Sequence, residues 1–191
     1  VQTCALPICQ NGIPLPLEST TFVDLLTAAD YRTAAIGKLH LQNIGDAPTD
    51  KRSWPGKEGQ QSPPSDFAEA IKHDRTTDAY QAENIRAWQK EPRRQISTPY
   101  YGFEHLRICS GDGDMVEGHF TAWLNERHPD PASLRGSRNA HPAENYSVPQ
   151  AYRTSMPEEL YPTRYIEEET ITFIEEHSRD ASDNPFFVHC S

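Results

Sequence analysis

Gly37-Lys38-Leu39-His40 is the part of this 191-residue chain whose residue types and spacing could do chemistry. Lys38 offers a fixed positive charge, and His40 offers a hydrogen-bond donor or a proton near neutral pH. In an extended backbone, side chains two residues apart point the same way, so both can converge on one anion. Gly37 lets a ligand or another stretch of backbone come close. Hydrolysis of a sulfate or phosphate ester needs such groups, because negative charge on the non-bridging oxygens must be held while the bond to the leaving oxygen breaks. A Lys and a His at a strand end are also commonly solvated or capping residues.

The elements around the motif suit the first reading. Thr20 or Thr21 can cap a helix in which Phe22, Leu25, Leu26 and Ala29 form one apolar face, ended by Asp30 and Tyr31. Arg32 to Ile36 is short, mostly apolar and bounded by Gly37, as expected of a buried strand in a parallel sheet. Asn43 to Arg75 is rich in Pro, Gly, Ser and Gln and reads as a long loop. Thr77 to Glu91 has helical spacing, anchored by Tyr80, Ile85 and Trp88 and stopped by Pro92. A strand is predicted over Glu104 to Cys109, a turn at Gly111 to Asp114, and a helix over Met115 to Arg127. A Pro-rich loop over His128 to Pro157 leads to a helix over about Glu158 to His177, with Ile166, Thr170, Phe173 and Ile174 on one face. The strand Phe186 to Cys190 follows. The fold class is therefore α/β, a parallel or mixed sheet with helices on both faces and sites at the carboxyl ends of the strands.

Composition narrows the partners. With 28 acidic and 18 basic residues the formal charge is -10, which argues against nucleic acid or an anionic membrane as main partner. An anionic substrate would be captured by a few local cations. No run approaches the roughly 18 apolar residues that span a bilayer, so the chain reads as soluble, with cytoplasm and periplasm both open. Cys4, Cys9, Cys109 and Cys190 are too scattered for a disulfide scaffold or a Cys-x-x-Cys metal site. Val1 to Ile8, VQTCALPI, is the translation of a common sequencing adaptor. Residues 1–10 are accordingly set apart as a scar and junction. Residues 11–191 are expected to be part of a single domain cut at both ends.

The stretch TTFVDLLTAADYRTAAIGKLHLQ resembles a segment of the sulfatase family, within the alkaline-phosphatase-like superfamily. The pattern is a helix Thr-x-x-x-Leu-Leu-x-x-Ala-Gly-Tyr-x-Thr before a strand ending Gly-Lys-x-His. Thr21, Leu25, Leu26, Ala29, Tyr31, Thr33, Gly37, Lys38 and His40 match it, with Asp30 in place of Gly. Asp can take the left-handed conformation that position asks for. Asn11 in NGIPLP resembles an Asn near the substrate, Gly102-Phe103-Glu104 resembles Gly-Phe-Asp, and Asn184 to Val188 resembles the strand before a His-containing loop.

The resemblance implies an alkaline-phosphatase-like mixed, mostly parallel sheet and a hydrolase of sulfuric esters, with Lys38 and His40 as catalytic pocket cations and Asn11 as a substrate-binding residue. It also implies a formylglycine nucleophile and a divalent cation, usually Ca²⁺, held by Asp and Asn side chains. Cys4-Ala5-Leu6-Pro7-Ile8 lacks the Arg of the nucleophile motif and has its Pro one position late, so the nucleophile and metal ligands are expected outside this chain, which alone should not turn over substrate. The implied partner is a small-molecule or glycan sulfate ester. Alternatives are a phosphonate or phosphodiester hydrolase of the same superfamily, or a non-catalytic paralogue binding anions or glycans. Asp112-Gly113-Asp114 is read as a turn that could line the pocket, since it follows a strand. His105, His119 and His128 are read as surface or packing residues, His189 as a strand residue, and Glu167 to Glu169 as a solvated helix face.

Overall fold

Five of the six residues of β1 (Arg32–Gly37) are buried, because this strand has a parallel neighbour on each side. The computed structural model describes residues 14–45, 77–143, 148, 151–180 and 183–191. The adaptor-like residues, Asn11, nearly all of the first long loop and parts of the second lie outside them. β2 (His105–Ser110) and β4 (Phe186–Cys190) flank β1 in parallel, and β3 (Glu117–Gly118) runs antiparallel beside β2, giving the order β3-β2-β1-β4. The chain is thus α/β, with a mixed sheet. Among the described residues β4 has a neighbour on one side only, so it is a half-exposed edge rather than a buried strand.

Strand alternation divides the core. Ala35, Leu106 and Ile108 meet Val23 of α1 (Phe22–Ala28) and Trp88 of α2 (Ile85–Lys90) on one face. Ala34 and Ile36 meet Phe173 of α4 (Pro162–Arg179) on the other. Cys109 joins Phe120, Trp123 and Leu124 of α3 (His119–Arg127) and Tyr165 of α4. Helices therefore cover both faces, as the period-two alternation of buried strand residues requires.

Each helix departs from its sequence expectation for an identifiable reason. Thr21 caps α1 in a capping box with Asp24, and Asp30 takes a left-handed φ of 63° just past its end. Yet Phe22 and Leu25 are 61% and 65% exposed, and Val23 is the buried residue. The Thr21 and Thr27 hydroxyls donate to the carbonyls of Tyr101 and Gly102 at 2.9 Å, which turns the Val23 side of the helix inward. The expected helix over Thr77 to Glu91 is a 3₁₀ turn at Asp78–Tyr80 followed by α2, whose cap is Asn84. α3 begins at His119, not Met115, since Glu117 and Gly118 are taken up in pairing with Ser110 and Cys109. Pro162 starts α4, leaving Glu158–Leu160 as a separate 3₁₀ turn.

The acidic stretch of α4 is more than a solvated face. Glu169 meets Arg107 of β2 at 2.7 Å, and Glu168 accepts from the Trp123 indole at 3.1 Å and from Arg127 at 3.2 Å. These bonds tie α4 to β2 and α3. Ile174, expected on the inner face, is 38% exposed, whereas Phe173 is fully buried.

Replacing Phe173 by Ala should cost about 3–5 kcal/mol of folding stability. The same change at Ile171, 48% exposed, should stay within about 1 kcal/mol. Urea unfolding of the two variants measures the difference, and equal losses would place α4 in the wrong rotation.

Candidate functional site

β1 ends at Gly37 because another backbone approaches there. Gly37 has a φ of 115°, and a side chain at this position would lie 1.7 Å from the carbonyl oxygen of Ser191. The close partner that the glycine admits is thus the end of β4. The Lys38 amide donates to that same oxygen at 3.3 Å, and His189 Nε2 lies 3.4 Å from the Lys38 carbonyl oxygen. Lys38 leaves the sheet at the carboxyl end of its central strand.

The next residues do not continue as an extended strand. His40 has a φ of 65°, so simple strand alternation does not aim it. A buried carboxylate does the aiming. Glu83, 1% exposed, accepts from the backbone amides of His40, Leu41 and Gln42 at 2.7, 2.9 and 3.2 Å. The Tyr100 hydroxyl adds a fourth donor at 2.7 Å. Burial pushes the Glu83 carboxyl above its usual range, and the four donors pull the other way. The Gln42 amide continues the clamp, donating to the Ala79 carbonyl at 3.1 Å and accepting from the Ala82 amide at 3.0 Å. With its backbone held from behind, His40 presents an exposed side chain.

Lys38 meets a third residue. The Lys38 ammonium lies 2.8 Å from Asp112 Oδ1, on the turn after β2, the parallel neighbour of β1. Lys38 holds the Asp112 carboxyl below its usual range by hydrogen bond and charge, and His40 adds to the effect. The two acids of this turn separate. Asp112 is at the strand ends, while Asp114, 2% exposed, accepts from the hydroxyls of Tyr152 and Thr154.

Glu83 and Asp112 complete what Lys38 and His40 begin. A buried acid inside a stretch with helical spacing is invisible to periodicity; the available signal was Asn84, a preferred helix cap, which marks the residues before it as non-helical. Asn11 lies outside the described residues. Of the other matched residues, Thr33 donates to the Gly102 carbonyl at 2.8 Å, and its amide donates to the Glu104 carboxylate at 3.3 Å. Thr21, Thr33, Gly102 and Glu104 thus build the scaffold.

Three buried or half-buried groups on β2 and α3 are held in their neutral forms. Cys109 is buried, its thiol pushed up to about 12 chiefly by burial, which leaves no thiolate at neutral pH. His119 packs on Trp88 with ring centroids 4.8 Å apart and accepts from the Ile108 amide at 2.9 Å. Burial holds it neutral, with its pKa lowered to about 4, and His105 is lowered likewise. Both are packing residues. Among the described residues no three His, Cys, Asp or Glu side chains gather to hold a metal ion, so a divalent cation finds no cage in them. No described helix is long and apolar enough to cross a membrane. Comparison with protein-family models, with curated proteins and with solved structures returns no match in any of the three.

Two outcomes follow from the buried groups. Glu83→Gln replaces one acceptor oxygen with an NH₂ that faces a backbone N–H, and should cost about 1–3 kcal/mol. Faster hydrogen exchange at the amides of His40 to Gln42 would locate the loss; unchanged exchange would remove Glu83 from its role. For His119, the unfolded state takes up a proton near pH 6.5 and the folded state only near 4. Its stabilising effect is therefore complete above pH 6.5 and is lost as pH falls through that window. The stability difference between the unchanged protein and His119→Gln should shrink by about 2 kcal/mol from pH 7 to pH 5, read from urea midpoints.

Proposed function

We propose that this chain carries part of the anion pocket of a sulfuric ester hydrolase with an alkaline-phosphatase-like fold, in which Lys38 and His40 bind the non-bridging oxygens of a sulfate ester. One observation carries the reading: both side chains emerge at the carboxyl end of the central parallel strand, on a loop whose backbone Glu83 holds in place. In open α/β sheets ligands bind at that end. The Lys38 ammonium supplies a charge whose position is set by the strand. His40 supplies a donor whose backbone is fixed at its own amide. Donors whose backbone is fixed before binding stabilise negative charge at little reorganisation cost.

The residue pattern from Thr20 to Gln42 supports sulfatase chemistry in particular, since Gly37, Lys38 and His40 all match it. The proposal covers the complete enzyme. Its formylglycine nucleophile and its Ca²⁺ or other divalent cation are assigned to residues other than those described, so the assigned tasks of this chain are binding and orientation of the sulfuryl group.

In the complete enzyme, Lys38→Ala should lower turnover of an aryl sulfate by at least about a hundredfold, as for loss of one transition-state contact. A steady-state assay of aryl sulfate, with an aryl phosphonate ester alongside, measures this and ranks the two ester classes. Unchanged sulfate turnover would remove Lys38 from the pocket.

A further inference from the structure

We infer that Asp112 is an internal counter-anion for Lys38, displaced when an ester anion binds, and that it thereby sets how tightly the pocket takes that anion. The inference rests on the reading of Lys38 as a pocket cation. Three features of the turn after β2 support it.

The first is contact with unequal exposure. Asp112 Oδ1 lies 2.8 Å from the Lys38 ammonium, yet the Asp112 side chain is 91% exposed and that of Lys38 only 31%. The lysine is thus held by the fold while the carboxylate stands in water.

The second is the way the turn is anchored. Asp114 is buried, its carboxylate held by two hydroxyls, and its carbonyl oxygen accepts from Arg135 at 2.8 Å. Asp112, two residues earlier, accepts from the Met115 amide through its carbonyl oxygen at 3.1 Å, and its side chain has Lys38 as partner. It sits between Gly111 and Gly113, with φ of 104° and 56°, where backbone rearrangement meets little side-chain resistance. The turn is therefore fixed at Asp114, and the Asp112 side chain, 91% exposed, is the part that can release.

The third is charge. An exposed ion pair shifts an equilibrium by only about two- to fivefold, so Asp112 yields to a competitor that gains a second donor. A sulfate ester spreads one negative charge over three free oxygens, and inorganic sulfate two over four; either can accept from His40 as well as from Lys38. An Asp112 carboxylate left in place would both occupy Lys38 and repel the arriving anion. A neutral side chain there would do neither.

Titration with inorganic sulfate at constant ionic strength, followed by the NMR shifts of the His40 ring and of the Lys38 ammonium, tests the inference. D112N should bind sulfate about three- to tenfold more tightly than the unchanged chain, and adding K38A to D112N should abolish the gain. Because Asp112 is exposed, the substitution leaves the core untouched. Equal or weaker binding by D112N, with K38A still reducing it, would overturn the counter-anion role and leave the pocket standing. Sulfate binding that K38A does not change would overturn the pocket, and this role with it; absence of binding by D112N would overturn the role directly.

Discussion

The Glu83 carboxylate is the constraint on which the loop after β1 depends. A carboxylate withdrawn from water costs several kcal/mol unless its oxygens find donors. Here three consecutive amides and a tyrosine hydroxyl supply them. The exchange works in both directions: the loop makes the buried charge tolerable, and the charge leaves the loop one conformation that satisfies it. The left-handed backbone of His40 follows from this. So does the break in the segment carrying Glu83, because a continuous helix over Thr77 to Glu91 would not leave this acid free to face the loop.

Around this clamp the chain is tied together at closely spaced points. The Ile85 amide donates to the Ile44 carbonyl at 2.9 Å, and the Leu15 amide to the Leu41 carbonyl at 2.8 Å. The segment that follows the central strand is therefore pinned on two sides before it reaches solvent. Rigidity there matters for the proposed chemistry, since a cation that must be ordered on binding loses part of its interaction to conformational entropy. The backbone that carries Lys38 and His40 lies on the ordered side of that balance.

The residues that carry the family-like pattern divide into two kinds of work. Thr21, Thr33 and Gly102 hold α1, β1 and the turn before β2 to one another through short hydroxyl-to-carbonyl bonds. Lys38 and His40 face outward. Most of the pattern thus describes how one strand is built and aimed, and only its last residues describe what the strand presents. Asp112 belongs to neither group by sequence, and it reaches the site because β2 lies beside β1 in parallel register, with Gly37 opposite Ile108.

Local chemistry was legible where one element sufficed to specify it. A cap at Thr20 or Thr21, the left-handed Asp30 and the buried strand over Arg32 to Ile36 could be read from neighbouring residues, because caps, turns and alternation act over a few positions. What depended on partners far along the chain could not. Which side of α1 faces inward was decided by carbonyls roughly 75–80 residues away, which overrode the apolar face of Phe22 and Leu25. β4 became an edge because the described sheet pairs it on one side only. By itself the sequence determined that a lysine and a histidine stand at the end of a buried strand. The tertiary structure alone decided that a buried Glu83 fixes the backbone of the loop and an exposed Asp112 meets the lysine, because burial and pairing are properties of residues brought together across the chain.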